Sequence, residues 1–223
     1  MSLASYNNFK YRTNDEVFIW HINNGKCEPY PRELAIVKRY LEQYPTKSNT
    51  CIDIGGHIGT TSLPYSRLFK NVIAYEPNKV SYDFFVENIE LNDISNVTVY
   101  NKGAYNRSMH CTVVPHDGGN SGCYYIKECS PDIVNSIEVV KLDDTQLPTP
   151  IDFIKIDTEG SELYVLEGAV NIIKRWRPLI QVETNSSSDK YFGYNKSKIY
   201  DFLYNFHYEA FDDDGNNPLF YCP

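Results

Sequence analysis

Basic charge is in short supply: 21 Lys and Arg face 29 Asp and Glu, for a formal net charge of -8, and no dense basic run compensates. A general nucleic-acid binder needs Lys and Arg to replace the counterions along phosphates, so the balance argues against that class. Six cysteines are present, but Cys27, Cys51, Cys111, Cys123, Cys129 and Cys222 lie far apart with no C-x-x-C pair. Neither a zinc site nor a small disulfide scaffold is indicated, and free thiols in a reducing compartment are expected. No apolar stretch approaches the roughly 20 residues of a membrane-spanning helix, and the opening MSLASYNNFKYRTNDE lacks a signal-peptide core. A cytoplasmic location is therefore expected. Internal repeats and low-complexity tracts are also missing.

What is there is a rhythm. From Thr50 onward short apolar runs alternate with longer amphipathic segments: TCIDIG, a helix from Gly59 to Phe69, NVIAYE, a helix from Lys79 to Leu91, then NVTVYNK. Repeated β-α-β units imply a parallel sheet with right-handed crossovers. Residues 103–140 interrupt the pattern, with the turn-rich PHDGGNSGC between two short strands. It resumes with IDFIKID, a helix from Ser161 to Arg175, PLIQVE and a helix from Ser197 to Phe206, and YEAFDDDGNNPLFYC closes the chain as a hairpin. Ahead of all this, DEVFIWHIN reads as a strand and RELAIVKRYLEQYP as a helix stopped by Pro45. Residues 1–48 are expected to form a lead-in packed on a core of residues 49–223, in a single domain.

CIDIGGHIGTTS places Asp53 at a strand end, then Gly55, Gly56 and Gly59 ahead of a helix starting with Thr60 and Thr61. Glycines there permit unusual backbone angles and let a ligand lie against the main chain, and the helix start offers free N–H groups. A plain tight turn is the competing reading. The next strand ends on Glu76, and an acid about 20 residues beyond the first turn accepts hydrogen bonds from ribose hydroxyls in dinucleotide folds. Alternatively, Glu76 is a helix-start acid favoured by the macrodipole. The turn reads D-x-G-x-x-x-G rather than G-x-G-x-x-G. Its own acid would repel a pyrophosphate but accept a zwitterionic aminoacyl group, which favours S-adenosylmethionine. An NAD(P)-dependent oxidoreductase and a catalytically silent cofactor-binding scaffold stand as rivals.

Taken with VENIELNDISNVTVYNKGAY, DFIKIDTEGSELYVLEGA and PLIQVE, in that order, these segments resemble the FkbM-like methyltransferases. That group has a Rossmann-like fold, uses S-adenosylmethionine and acts mostly on hydroxyls of sugars, glycolipids and related metabolites. The run I-K-I-D-x-E-G-x-E-x-x-V-L-x-G-A is the most specific part. The resemblance implies an α/β, Rossmann-like class I methyltransferase whose mostly parallel seven-stranded sheet ends in an antiparallel hairpin. It also implies that Asp53, Gly55 and Gly59, with Gly56 in the same turn, line the aminoacyl part of the cofactor. Glu76 would hold the ribose, and Lys102, Gly103 and Ala104 would pass the adenine. Asn88 and Asn92 match asparagines of the family pattern, although at helical spacing they equally suit a solvent-facing or helix-capping role. His57 stands where the family often has Asn; it reads as a methionine-end contact or as a packed or solvated histidine.

Methyl transfer to a hydroxyl needs oxygen, methyl carbon and sulfur in line, and a group to take the proton. Asp157 ends the fourth strand of the rhythm, Glu159 follows it, and Glu183 ends the fifth. The carboxyl ends of neighbouring strands border the ligand crevice in open α/β sheets, so these acids are expected to converge. Similarity to magnesium-dependent sugar O-methyltransferases implies Asp157 and Glu183 as ligands of Mg or Mn, Asn185 as a weaker third ligand and Glu159 as the base. Glu in place of Asp at two positions, and Thr184 where an acid belongs, depart from that pattern. Without metal, Asp157 or Glu159 acts as base directly, or Asp157 only positions the cofactor's methionine end. Glu159 and Glu162 also read as first-turn helix acids, and for Glu162 that is the preferred reading, along with pairing to a nearby cation. The acceptor is expected to be a small-molecule or glycan hydroxyl. The HDGGNSG loop, residues 116–122, reads either as part of its pocket or as plain surface.

Overall fold

A computed structural model describes residues 2–24, 26, 31–116, 123–212 and 215–223. Alternating apolar and polar residues make an antiparallel ribbon of Ser2–Tyr6 (β1) and Phe9–Thr13 (β2), with Ala4, Tyr6, Phe9 and Tyr11 turned inward. The segment expected to follow as a strand is instead a helix, Glu16–Asn23 (α1). The Asp15 carboxylate accepts the Phe18 N–H at 2.9 Å, an N-cap that starts a helix despite the β-branched composition, and Phe18 and Ile22, one turn apart, are buried. Helix Pro31–Gln43 (α2) buries Ile36, Val37 and Tyr40.

Thr50–Ile54 (β3) is buried at every position. The helix expected after it is only Ser62–Tyr65 (α3), because turns occupy residues 56–61, with Gly59 at φ +93°. Asn71–Tyr75 (β4), Lys79–Leu91 (α4) and Val97–Tyr100 (β5) follow as expected. The interrupting segment folds as Gly103–Tyr105 (β6), Met109–Pro115 (β7), Tyr124–Glu128 (β8) and Ile137–Lys141 (β9), which form a separate four-stranded sheet ordered β6-β9-β7-β8. Then come Ile151–Ile156 (β10), Glu162–Glu167 (α5) and Val170–Trp176 (α6). One helix was expected where two stand. The chain breaks at Gly168, where a Cβ would lie 2.1 Å from the Tyr105 carbonyl oxygen, and the Asp143 carboxylate restarts it by accepting the N–H groups of Asn171 and Ile172. Leu179–Val182 (β11), Ser187–Phe192 (α7), Ser197–Asn205 (α8), Glu209–Asp212 (β12) and Leu219–Tyr221 (β13) complete the order.

The main sheet has seven strands ordered β12-β13-β11-β10-β3-β4-β5. All neighbours from β11 to β5 are parallel, whereas β13 is antiparallel to both β11 and β12. The expected terminal hairpin is thus met in part: the two strands pair, but the last one tucks inside the sheet, and the pairing slips between Ala210 and Asp212. Both faces are apolar, as parallel strands covered on two sides require. Cys51, Val72, Ala74 and Phe153 point into one core, and Ile52, Ile54, Ile73 and Ile154 into the other.

Asn88 and Asn92 neither face solvent nor serve only as caps. Fully buried Asn88 accepts the Arg12 N–H at 2.6 Å and donates to the Ile58 carbonyl at 3.0 Å, and Asn92 exchanges two hydrogen bonds with the backbone of Lys10. They clasp β2 to α4. Asn88→Ala leaves buried backbone groups unsatisfied and is expected to destabilise the fold by about 2–4 kcal/mol, read as a lower urea midpoint.

Candidate active site

Chain order reverses between β3 and β10, the neighbours at the middle of the sheet, and a ligand crevice opens beyond strand ends at such a point. A cavity of about 320 Å³ lies there, within the size range of small-molecule sites. Its wall includes Gly55 and His57 after β3, Glu76 and Asn78 after β4, Gly103 and Ala104 on β6, and Lys155, Asp157 and Glu159 at the end of β10. Glu183, after β11, completes that side.

Gly55 makes the turn possible. Its φ is +84°, and a Cβ would sit 1.7 Å from the Asp157 carbonyl oxygen, so no side chain fits where the two strand ends touch. The N–H groups of Gly55 and Gly56 both reach the Tyr75 carbonyl, at 2.9 and 3.1 Å. Glu76, almost fully buried, accepts the His57 N–H at 2.8 Å on one oxygen and the Asn78 N–H at 2.7 Å on the other. Burial pushes its carboxyl up to about 7, against the pull of those two donors. His57, with φ +49°, packs its ring edge-to-face on Phe18 at 4.7 Å and also lines the cavity.

Four residues expected at the cofactor lie outside this cavity's wall. Asp53 is completely buried, outside the cavity wall, where its carboxylate accepts the Ser62 hydroxyl at 2.6 Å and so anchors the start of α3. Burial raises its pKa, while the Lys155 ammonium opposes the rise. Gly56 and Gly59 face the Phe85 ring, which an added Cβ would meet at 2.6 and 2.7 Å, so both serve close packing against α4. Lys102 turns outward to pair with Glu138 at 2.8 Å.

At the other strand ends, Asp157, Glu159 and Glu183 each bring a carboxylate oxygen to within 4.8 Å of the others. The Lys155 ammonium, 3% exposed, contacts Asp157 Oδ2 at 2.9 Å, a burial that Lys tolerates only beside a partner. Asn185 donates its amide to Glu183 at 2.8 Å and to Glu159 at 3.3 Å, and its Oδ1 accepts the Ser187 N–H at 2.8 Å. It therefore bridges the acids as a donor, contrary to the expected ligand role. Glu159 sits at φ +56°. Burial, then the charges of Asp157 and Glu162, push its carboxyl up to about 7, while hydrogen bonds from Asn185 and Cys123 oppose this.

Glu162 is the first-turn acid of α5, as expected, and it is also a clamp. One oxygen accepts the N–H groups of Thr158 and Gly160 and the Thr158 hydroxyl, at 2.8 to 3.1 Å, and the other faces the Tyr194 hydroxyl at 3.3 Å. Tyr194 in turn donates to the Gly160 carbonyl at 2.6 Å. Together they fix the loop that carries Asp157 and Glu159. Among the described residues no cation pairs with Glu162 in the way expected of it.

Several wall residues went unrecognised in the sequence: Phe18, His21 and Lys26 from the lead-in, and Val113, Tyr124 and Ile126 from the second sheet. Asp15 as an N-cap was the one available signal for the first group. Of the HDGGNSG loop, residues 117–122 lie outside the described residues. His116 beside them has Nδ1 at 3.8 Å from Glu159 Oε2, and Cys123 lines the cavity.

The strand order, with the antiparallel β13 inserted beside β11, gives an α/β fold of the kind found in methyltransferases. The methyltransferase FkbM domain family matches residues 53–210, and the chain belongs to that family. It is 26% identical over 162 residues to Methyltransferase 1 of Beauveria bassiana (strain ARSEF 2860), an alignment covering 61% of this chain and 65% of that protein. The match thus spans less than two thirds of the relative's length. Among solved structures, methyltransferase FkbM from Methylobacillus flagellatus KT is similar at TM-score 0.53 and 20% identity, over 78% of this chain and 44% of that one. An rRNA methylase from Streptococcus thermophilus is similar at TM-score 0.50 and 11% identity, over 87% and 95%. Both likenesses are of fold. Among the described residues no helix is long and apolar enough to cross a membrane.

Proposed function

We propose that the chain transfers a methyl group from S-adenosylmethionine to a hydroxyl, with a sugar or glycan as the acceptor class. The observation that carries this reading is that Glu76 and the Asp157–Glu159–Glu183 cluster share the wall of one cavity. Bound there, the cofactor would supply an electrophilic methyl on a sulfonium sulfur. Each Glu76 oxygen already takes one backbone N–H and keeps acceptor capacity for a ribose hydroxyl. Gly103 and Ala104 offer a side-chain-poor wall for the adenine. Lys155 and Asp157 present an ammonium and a carboxylate, complementary to the zwitterionic aminoacyl end. Glu159 would take the proton of the acceptor hydroxyl, freeing its oxygen to receive that methyl.

The clustering of three carboxylates also supports a hard divalent cation such as Mg or Mn. Asp157, Glu159 and Glu183 would hold it, with Asn185 outside the ligand set, and it would lower the pKa of an acceptor hydroxyl. Turnover across a hydroxylated acceptor panel, with Mg, with Mn and with EDTA, decides between this and direct base catalysis. Loss of activity in EDTA restored by either metal assigns the cation, and unchanged activity removes it.

Glu76 gives the cofactor site a pH signature. Its carboxyl, held at about 7 by burial, is protonated below that pH and there loses acceptor capacity. Affinity for S-adenosylhomocysteine is expected to be level above about pH 7 and to fall towards tenfold per pH unit below it. Calorimetric titrations from acid to neutral pH check this, and Glu76→Gln should give a weak, flat profile. A flat wild-type profile would remove Glu76 from the ribose.

A further inference from the structure

Behind the acids at the strand ends lies a row of buried polar side chains. Pairing of the parallel strands sets Lys155 of β10 beside Asp53 of β3 on one flank and Gln181 of β11 on the other. One step below, the same register sets Phe153 between Cys51 and Leu179, all apolar and buried. We infer that Asp53 is a positioning residue for the cofactor's aminoacyl end, acting through Lys155 on Asp157. This rests on the reading of Asp157 as a partner of that end, and so on methyl transfer from S-adenosylmethionine.

Strand alternation puts Asp53, Lys155 and Gln181 on the same face as Cys51, Phe153 and Leu179, within the core that those three help to form. A charge buried there has to be compensated. One Asp53 oxygen accepts the Ser62 hydroxyl at 2.6 Å, and the other has no hydrogen-bond partner among the described residues. The Lys155 ammonium, at the paired position of the next strand, is what offsets the burial, and it opposes the rise of the Asp53 pKa. The same ammonium reaches Asp157 Oδ2 at 2.9 Å. Asp157 lines the cavity and Asp53 does not. One cation therefore serves two carboxylates, one at the ligand and one behind the wall.

Sharing sets how strongly Asp157 attracts a ligand. With Asp53 ionised, the Lys155 charge is divided between the two acids, and Asp157 keeps attraction for the ammonium of an aminoacyl group. With Asp53 neutral, Lys155 answers to Asp157 alone and cancels more of that attraction. Such charges act strongly on one another where little water screens them. The contacts proposed for ribose and adenine use none of these three residues, so the effect is confined to the amino-acid end of the cofactor.

Calorimetric titration at about pH 8 with two ligands tests this: S-adenosylhomocysteine, and 5′-methylthioadenosine, which shares its nucleoside and thioether but lacks the aminoacyl group. Asp53→Asn keeps the shape of the side chain and an oxygen for the Ser62 hydroxyl. It is expected to weaken S-adenosylhomocysteine by about fivefold or more and to leave 5′-methylthioadenosine unchanged, whereas a merely structural role would move both together. Gln181→Met, on the other flank of Lys155, alters no charge and should leave both affinities as they are. Lys155→Met should lower the melting temperature more when Asp53 is present than in Asp53→Asn, because only the former strands that buried carboxylate. Loss of both ligands or of neither in Asp53→Asn overturns the inference, as does the same selective loss in Gln181→Met or an equal melting cost of Lys155→Met in the two backgrounds. Failure of S-adenosylhomocysteine to bind the unaltered chain would instead remove the methyl-transfer reading, and this inference with it.

Discussion

Glu159→Gln is expected to lower the rate of methyl transfer by about 10²- to 10⁴-fold, the usual worth of a positioned general base, with little change in S-adenosylhomocysteine affinity. The glutamine keeps the shape of the side chain and can still meet the Asn185 amide through its carbonyl, so the loop should hold. What it loses is the ability to take a proton. A carboxyl held at about 7 is matched to proton abstraction near neutrality, where about half of it is ionised and it is still basic. If Glu159 were only a helix-start acid, the variant would melt lower by the equivalent of about 0.3–1 kcal/mol and would turn over normally. Single-turnover rates at saturating acceptor, set beside melting temperatures, separate the two outcomes.

Gly55→Ala should be the most damaging small change in the cofactor turn. A left-handed backbone costs a non-glycine residue about 1–2 kcal/mol. A Cβ placed 1.7 Å from the Asp157 carbonyl oxygen must also push β3 and β10 apart at their ends, and overpacking adds about 1–3 kcal/mol. A total of about 3 kcal/mol corresponds to a fall of about 6–12 °C in Tm for a domain of this size, together with loss of S-adenosylhomocysteine binding. Gly193 supplies the control. It also has positive φ, +72°, but nothing lies within 4 Å of its added Cβ. Gly193→Ala should therefore pay only the backbone strain and bind S-adenosylhomocysteine as the unaltered chain does. Equal effects of the two substitutions would show that the contact between strand ends does not matter.

Those two residues also show which parts of the molecule can be read in one dimension. β3, β4, β10 and β11 are buried on both faces, so they stand out as continuous apolar runs, and the acids that stop them mark where the crevice begins. Asp157, Glu159 and Glu183 converge because parallel neighbouring strands end at the same edge. The broken helix α5–α6 was illegible for the opposite reason: Gly168 is set by the distant Tyr105 backbone, and Asp143 restarts the helix from another segment. Asn88 and Asn92 likewise spend their hydrogen bonds on β2, far away in sequence. Asp53 and Lys102 belong to the expected motifs, yet their side chains answer to Ser62 and Glu138. Proximity in a motif does not fix where a side chain points. The cavity wall supplied by α1 and β8 depends on segments that fold back over the crevice, and no local pattern encodes that return.

The cofactor site is tested most directly by calorimetric titration of S-adenosylhomocysteine and of NAD into the unaltered chain, Glu76→Ala and Asp157→Ala at pH 8. Saturable binding of S-adenosylhomocysteine alone is expected, weakened by about tenfold or more in each variant. Binding of NAD with none of S-adenosylhomocysteine, or S-adenosylhomocysteine affinity untouched by both substitutions, would contradict the assignment.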